Sequence, residues 1–234
     1  MPKGYIYTNQ ETFFGSREII GFGDDELQIK EIQRNLANQT IRANHYSRKT
    51  YNATYIHLGV FLNQVFVGVL QYGYAMNPAS CSSVVAGTEM DQYLELNRMW
   101  LSDDAPRNTE SRSLSHSFKY IRGKFPKVKW IQSFADERCG GLGIVYQACS
   151  FNFYGEHVSD FWEYKGEIFH NIEMTLKPGT KRYNRSMAKE LQENKDEAKK
   201  MRLRQFRYIK FLDQRWKSKC LLTEKKYLKH YNND

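Results

Sequence analysis

The stretch FADERCGGLGIVYQACSF, residues 134–151, combines the end of a strand, a glycine-rich turn and an apolar helical pattern. The segment VKWIQSFAD, residues 128–136, leads into it and is rich in β-branched and aromatic residues, which predicts a strand. Residues 141–149 have the pattern of a helix. A strand, a turn and a helix in succession indicate an α/β protein, in which helices pack on a sheet.

The segments around this unit continue the same alternation of strands and helices. In chain order, the other predicted elements are a helix over residues 24–36, a hairpin over 54–62 and 65–76, a strand over 92–103, a helix over 111–122 and a closing hairpin over 161–176. The two hairpins are expected to turn at Asn63-Gln64 and at Lys165-Gly166. This order predicts a mixed sheet with flanking helices and some antiparallel edges.

The net charge of +9 comes from the carboxyl-terminal part of the chain. Residues 181–234 contain 17 Lys and Arg against 7 Asp and Glu, whereas the first 180 residues contain 18 against 19. We therefore predict a catalytic domain over residues 1–180 and a basic helical tail over residues 181–234 that binds a polyanion. Aromatic residues alternate with the cations in KKMRLRQFRYIKFLDQRWKSK, residues 199–219, which favours nucleic acid over a solvated surface helix.

Several classes of protein are disfavoured by the composition. The sequence contains no stretch of about 18 apolar residues, the length that a membrane-spanning helix needs. The start MPKGYIYTNQ lacks the apolar core of a secretory signal. The four cysteines form no C-x-x-C pair, so neither a zinc knuckle nor a disulfide framework is indicated. We expect a reduced protein that acts in the cytoplasm and does not bind membranes.

The order of elements resembles the GNAT-type N-acetyltransferase fold. In that family the last strand–helix unit often carries a tyrosine, three further residues and Gly-Phe; here Tyr146 and Phe151 match, with Ser150 in place of the glycine. The resemblance puts the coenzyme A pyrophosphate loop one unit earlier, in APRNTESRSLSHS, residues 105–117, which contains no glycine. We therefore interpret the R-x-x-G-x-G pattern of residues 138–143 as accidental, because so short a pattern is weak by itself.

The start of the helix over residues 111–122 is the remaining candidate for a cofactor phosphate. Free backbone amides in the first turn of a helix favour phosphate even without glycine. Ser111, Arg112 and Ser113 lie at that position and are the predicted cofactor-binding residues.

Three separated blocks of sequence resemble the Mom family of bacteriophage DNA-modification proteins. They are ANHYSRK (residues 43–49), LNRMWLSDDAPRNTESRSLS (96–115) and VKWIQSFADERCGGLGIVYQAC (128–149), and the resemblance extends from residue 43 to about residue 176. It implies an enzyme that converts adenine in phage DNA to N6-carbamoylmethyladenine, which blocks many host restriction enzymes. DNA would then be the partner and the host bacterial cytoplasm the location, and a homodimer stays open.

The resemblance also suggests iron ligands or catalytic groups at four positions, His45, Tyr46, Asp136 and Glu137. A histidine with two carboxylates can form a hard metal site with open positions. Alternatively, Asp136 and Glu137 cap the turn that follows the strand, and His45 is a hydrogen-bond donor in a loop. We favour a catalytic role for Asp136, because open α/β sheets bind ligands where their strands end.

Two further residues are predicted catalytic groups with an open structural alternative. Tyr146 falls where acetyltransferases often place a general acid, but a tyrosine there could also be part of the core. Arg98 would share a strand face with Leu96 and Trp100, where a cation needs either an ion pair or an anionic substrate.

The expected product limits the choice of donor, because a carbamoylmethyl group is joined to nitrogen through its CH2 and simple acetyl transfer gives the opposite connection. One route uses acetyl-CoA and iron-dependent oxidation, and the other uses a glycyl group from charged tRNA followed by rearrangement. We favour glycyl-tRNA. A non-catalytic DNA-binding protein stays open as an alternative. An adenine N6-methyltransferase is disfavoured, because NPAS (residues 77–80) departs from the Asn-Pro-Pro-aromatic motif.

Overall fold

The computed structural model describes residues 4–11, 17–139 and 142–228. The strands are β1 Tyr5–Glu11, β2 Arg17–Gly23, β3 Leu27–Glu31, β4 Thr54–Leu62, β5 Val65–Gly73, β6 Tyr93–Leu101, β7 Trp130–Asp136, β8 Asn152–Tyr164, β9 Glu167–His170 and β10 Lys199–Phe211. The α-helices are α1 Arg34–Asn44, α2 Thr109–Lys124, α3 Ile144–Ala148, α4 Ile172–Thr175, α5 Lys181–Arg185 and α6 Ala188–Glu193. None of these helices is long and apolar enough to cross a membrane.

All ten described strands belong to one sheet, in the order β1-β2-β3-β4-β5-β6-β7-β10-β8-β9. The neighbours β6 and β7 are parallel, and they pair only from Tyr93 to Glu95 with Trp130 to Gln132. Beyond that point β6 stays paired with β5, and β7 stays paired with β10. The two halves of the sheet therefore separate at the carboxyl ends of β6 and β7, and a gap opens between them.

Helices cover both faces of this sheet. α2 buries Leu114, Phe118 and Ile121, at helical spacing, in the main core. On the opposite face α1 buries Ala37 and Ile41 against β5. The predicted mixed α/β sheet with flanking helices is confirmed.

The predicted helical tail is wrong over Lys199–Phe211, which forms the interior strand β10. β10 pairs antiparallel with β7 on one side and with β8 on the other. An interior strand satisfies the backbone hydrogen bonds of both neighbours, and this non-local gain outweighs the local preference of the segment. The short helices α5 and α6 precede β10, and the division of the chain at residue 180 stays a prediction.

The predicted helix over residues 24–36 is also wrong. Leu27 and Ile29 are buried on one face of strand β3, which pairs with β4, and the helix α1 begins only at Arg34. Asp24 accepts the backbone amides of Glu26 and Leu27, so it closes a turn before a strand. Leu27 and Ile29 are two residues apart, which places them on one face of a strand but on opposite sides of a helix, and pairing with β4 fixes the strand.

Both predicted hairpin turns are confirmed. Asn63 and Gln64 join β4 to β5 with positive φ values of 47° and 68°, and Lys165-Gly166 joins β8 to β9. Two consecutive positive φ angles suit the right-handed twist of the flanking strands. The closing hairpin ends earlier than predicted, because α4 occupies Ile172–Thr175.

Candidate functional site

A cleft of about 960 Å³ lies at the gap between β6 and β7. Its walls are the loops over residues 46–51 and 75–84, together with parts of β6, β7, β8, β9 and β10. The carboxyl ends of neighbouring parallel strands are where open α/β sheets bind ligands, and the volume is that of a small-molecule site. The cleft is therefore the candidate active site.

A β-bulge in β6 aims two charged side chains at the cleft. Consecutive residues of β5 pair with Arg98 and with Leu96, so Asn97 is an extra residue in the ladder. Without a bulge, residues three apart lie on opposite faces of a strand. The bulge turns Glu95 and Arg98 to the same face, where both line the cleft, whereas Leu96 has its side chain in the main core and only borders the cleft. The predicted shared face of Arg98 and Leu96 is wrong for this reason.

Glu95 has the chemistry of a proton acceptor near neutral pH. Gln132 donates from Nε2 to its carboxylate at 2.8 Å, and Asn97 donates from Nδ2 at 3.0 Å. Burial raises the pKa of Glu95 to about 7, although these hydrogen bonds and the charges of Arg98 and Arg207 act in the opposite direction. A carboxyl group with this pKa can take up and release a proton at physiological pH.

The guanidinium of Arg98, for which the sequence predicted either an ion pair or an anionic substrate, is bound by backbone carbonyls. Its Nε donates to the carbonyl of Lys49 at 2.8 Å and its Nη1 to the carbonyl of Asn97 at 2.6 Å. No carboxylate of the described residues forms an ion pair with it. Burial lowers the pKa of Arg98, whose positive charge nevertheless persists at the cleft wall.

The interior strand β10 supplies a second cleft arginine. Arg207 lies 4.9 Å from the ring centroid of Phe134, and its Nη1 donates to Oε1 of Gln132 at 3.4 Å. Because Arg207 donates to the amide oxygen of Gln132, the amide nitrogen of Gln132 faces Glu95. Arg207 therefore orients the donor that Glu95 accepts.

Asp136 lies at the end of β7 and is 5% exposed. Its carboxylate accepts from the backbone amide of Arg138 at 3.0 Å and from both Nε, at 2.9 Å, and Nη2 of that guanidinium. The same guanidinium lies 5.4 Å from the ring centroid of Tyr46 and 5.1 Å from that of Phe161. The ion pair thus supports one aromatic wall of the cleft.

His45 and Tyr46 lie where α1 ends. The centroids of the two rings are 4.2 Å apart. His45 is buried, and Tyr46 is 55% exposed. Nδ1 of His45 accepts the backbone amide of Ser47 at 3.1 Å. Burial and the nearby guanidinium groups lower the pKa of His45 to about 4, so its ring is neutral at physiological pH.

The predicted catalytic residues divide into two sets. Tyr46, Arg98 and Asp136 line the cleft, whereas Glu137 and Tyr146 do not. Glu137 accepts the backbone amide and Nε of Arg204, both at 2.8 Å. The phenol of Tyr146 accepts from Ser133 at 3.0 Å within the core. Ser133 and Asp136 lie on opposite faces of β7, so the side chains of Tyr146 and Asp136 do not meet at one site.

The four predicted metal ligands do not form a donor set that fits iron. Within the described ranges, no group of three His, Cys, Asp or Glu side chains is arranged to hold a metal ion. The carboxylate of Asp136 forms an ion pair with Arg138, and the carboxylate of Glu137 forms a separate ion pair with Arg204 of β10. The ligand set implied by the family resemblance therefore does not match this geometry.

The predicted cofactor-binding residues lie outside the cleft, in the first turns of α2. Ser111 and Ser113 donate their hydroxyls to the carbonyls of Asn108 and Thr109, at 3.0 and 2.7 Å. Arg112 pairs with Glu26 at 2.8 Å. All three side chains thus have protein partners, and their binding of a cofactor stays a prediction. Gly140 and Gly141 of the glycine-rich turn lie outside the described residues.

Sequence reasoning missed Glu95, Gln132 and Arg207. An acid inside an apolar strand, in YLELNRMW, is a signal that could have identified Glu95. Gln132 and Arg207 carry no such signal, because their contact joins residues 75 positions apart.

The fold and the cleft define a mixed α/β protein with a candidate binding cleft at the carboxyl ends of two separating strands. Solved structures of acetyltransferases resemble it. An Arabidopsis thaliana NAA60 structure in complex with acetyl-CoA is 9% identical and has a TM-score of 0.49, with 79% of this chain and 99% of that chain covered. A ribosomal-protein-S5-alanine acetyltransferase from Vibrio fischeri is 10% identical with a TM-score of 0.47, covering 84% and 98%. Such likenesses say nothing about the site.

Relatives in sequence define the family. The Mom protein family matches residues 26–229 of the chain. Methylcarbamoylase Mom of Escherichia phage Mu is 49% identical over 199 residues, which cover 85% of this chain and 80% of that protein. The chain therefore belongs to the Mom protein family, and the resemblance noted in the sequence is confirmed.

Proposed function

We propose that the protein is a phage DNA-modification enzyme, a transferase that converts adenine to N6-carbamoylmethyladenine and so protects phage DNA from host restriction. Its place of action would be the cytoplasm of the host bacterium. The observation that carries this proposal is the cleft, in which the carboxyl group of Glu95 lies among donors and guanidinium groups. The 49% identical relative, named a methylcarbamoylase, supports the group transferred.

The proposed substrate is an adenine extruded from the duplex. The N6 atom of a stacked, paired adenine is inaccessible, so the base must be flipped or presented single-stranded. A cleft of about 960 Å³ is large enough for a nucleobase and a donor group together. The exposed ring of Tyr46, which packs against the ring of His45 at an angle of 34°, is suited to stacking against such a base.

The side chains of the cleft can divide the work of N6 transfer between a base and a cation. The carboxylate of Glu95 would accept the proton that N6 loses when it attacks a carbonyl carbon. The guanidinium of Arg98, without a carboxylate partner among the described residues, would stabilise the negative charge that develops on the carbonyl oxygen. Gln132 and Arg207 would hold Glu95 in place.

For the donor we propose glycyl-tRNA. Attack of N6 on the glycyl ester forms an N6 amide and releases the tRNA hydroxyl. The free glycyl amine then attacks C6 through a five-membered ring, the bond between C6 and the original N6 breaks, and that nitrogen leaves as the carboxamide. The product is N6-carbamoylmethyladenine without any oxidant. Acetyl-CoA is the alternative donor, and it needs an oxidation and a nitrogen source.

Mass spectrometry of nucleosides tests the proposal. DNA co-expressed with the protein is expected to yield a carbamoylmethyl adduct of deoxyadenosine, whereas unmodified DNA would indicate a non-catalytic DNA-binding protein. With purified protein and DNA, charged glycyl-tRNA is expected to give the product in the presence of a chelator. Product formed only with acetyl-CoA would overturn the donor assignment and leave the adenine assignment standing.

The role of Tyr46 can be separated into ring and hydroxyl. Tyr46→Ala is expected to weaken DNA binding by about 1–3 kcal/mol, because a stacked base loses its aromatic partner. Tyr46→Phe is expected to keep both binding and turnover, because the ring remains. KM and kcat for a DNA duplex measure the difference. Loss of turnover in Tyr46→Phe would assign the phenol itself to catalysis or metal binding and contradict the stacking role.

A further inference from the structure

Two groups of cations in the carboxyl-terminal part differ in a way that the sequence does not show. In the first group, each cation forms an ion pair with a carboxylate. These pairs are Lys200 with Asp160 at 2.7 Å, Arg204 with Glu137 at 2.8 Å, Arg215 with Asp213 at 2.7 Å and Lys217 with Glu224 at 2.8 Å. Arg202 lies 3.8 Å from Asp160, which Lys200 already occupies.

The second group is the basic segment, residues 177–189, with the sequence KPGTKRYNRSMAK. It contains five cations and no acidic residue: Lys177, Lys181, Arg182, Arg185 and Lys189. All five side chains are exposed. Unlike Lys200 and Arg204 of β10, none of them is within ion-pair distance of a carboxylate in the described part of the chain.

The basic segment is held against the body of the protein. Thr180 caps α5 by accepting the backbone amide of Tyr183 at 3.2 Å, and Tyr183 and Leu191 are buried. Gln192 donates to the carbonyls of Glu173, at 2.8 Å, and Leu176, at 3.1 Å, which ties α6 to α4. The five cations thus project from an anchored surface.

This surface adjoins the cleft. β9 contributes to the cleft wall up to His170, and α4 and the basic segment follow it directly in the chain. Burial lowers the pKa of His170, and the positive charge of Arg182 lowers it further. The charge of Arg182 also acts on the pKa of Tyr51, which lines another wall of the cleft: burial raises this pKa and Arg182 opposes the rise. The positive charge of Arg182 therefore reaches two residues of the cleft lining, His170 and Tyr51.

We propose that the basic segment binds the phosphate backbone of the DNA beside the adenine in the cleft, and that the paired cations of the first group contribute little. This inference rests on the proposed DNA substrate. An unpaired exposed cation exchanges small counterions for phosphates, whereas a paired cation must first give up its carboxylate. Phosphates that flank a flipped base lie beside the opening through which it enters, which favours DNA here over the body of a tRNA.

The test compares two triple variants that remove the same charge. K181Q/R182Q/R185Q removes three cations of the basic segment, and K200Q/R215Q/K217Q removes three cations that each have their own carboxylate partner. Affinity for a DNA duplex is measured by fluorescence anisotropy at several salt concentrations. We expect the slope of log K against log salt to fall in magnitude by about 2 to 3 in the first variant, because each lost phosphate contact removes about 0.9. The second variant should change it by less than about 1.

Several outcomes would overturn the proposal. Equal loss of slope in both variants would indicate a general charge effect, and an unchanged slope in the first variant would exclude the basic segment. Lost tRNA binding with an unchanged DNA slope would assign the segment to RNA. Thermal melting of each variant confirms that it is folded. If the binding results hold but the wild-type protein yields no modified adenine, the proposed reaction fails and the DNA surface stands.

Discussion

Replacing Glu95 by glutamine is expected to lower the rate of adenine modification by about 10²- to 10⁴-fold, the usual contribution of a general base. Glutamine keeps the size of the side chain and can still accept a hydrogen bond from Gln132 or Asn97, but it cannot accept a proton. The measurement is product formed per minute at saturating DNA and donor. Glu89→Gln is the matched control, because Glu89 is exposed and lies outside the cleft lining.

The pH dependence distinguishes a base from a residue that only positions the substrate. With a pKa of about 7, Glu95 is ionised above neutral pH, so the wild-type rate should rise up to about pH 7 and level off above it. The residual rate of Glu95→Gln should lack this step. If the rate of Glu95→Gln lies within threefold of the wild-type rate, or if both proteins show the same pH step, Glu95 is not the general base.

The raised pKa of Glu95 also makes the stability of the folded protein depend on pH. The folded-state pKa of Glu95 is raised above its ordinary value of 4.5, so the protonated carboxyl is favoured in the folded state. Its contribution to stability is complete below pH 4.5 and is lost as the pH rises through about 7. The unfolding free energy of the wild type should therefore fall relative to that of Glu95→Gln between pH 5 and pH 8, as chemical denaturation can measure.

Asp136→Ala is expected to lower the free energy of unfolding by about 3 kcal/mol and to abolish modification activity. Breaking a buried pair leaves one charge without compensation, which costs more than the intact pair contributes. The guanidinium of Arg138 would remain beside His45, Tyr46 and the cation of Arg98. Urea unfolding measures the first effect, and nucleoside mass spectrometry measures the second.

The chain contains a surface copy of this ion pair that provides the control. Arg215 donates to Asp213 from its backbone amide at 3.2 Å, from Nε at 2.9 Å and from Nη2 at 2.7 Å, the same three groups that Arg138 uses. The side chain of Arg215 is 88% exposed, against 21% for Arg138. Asp213→Ala should therefore lower the free energy of unfolding by less than Asp136→Ala does. Equal losses in the two variants would show that burial does not strengthen the dependence on Asp136.

The double variant Asp136→Ala/Arg138→Ala refines this test. Removing both partners leaves no unpaired charge, so it should be less destabilising than Asp136→Ala alone. Activity should remain lost, because the guanidinium no longer supports the aromatic wall of the cleft.

Local patterns in the sequence predicted much of the fold. The β4–β5 turn at Asn63-Gln64, the strands β6 and β7 and the helices α2 and α3 follow from residues close together in the chain. Three cleft residues, Tyr46, Arg98 and Asp136, were identified from family resemblance and from positions in predicted strands. The sequence also located the excess positive charge in the last quarter of the chain.

The secondary structure of the carboxyl-terminal segment depends on long-range pairing. Residues 199–211 are a strand because β7 and β8 hydrogen bond to both of its edges, and this insertion brings Arg207 to Gln132 and Glu95. The bulge at Asn97 likewise appears only in the pairing of β6 with β5. Spacing along the chain determines turns and short elements, because their hydrogen bonds join near neighbours. Strand pairing and the direction of a buried charge depend on partners far away in the sequence, which only folding brings together.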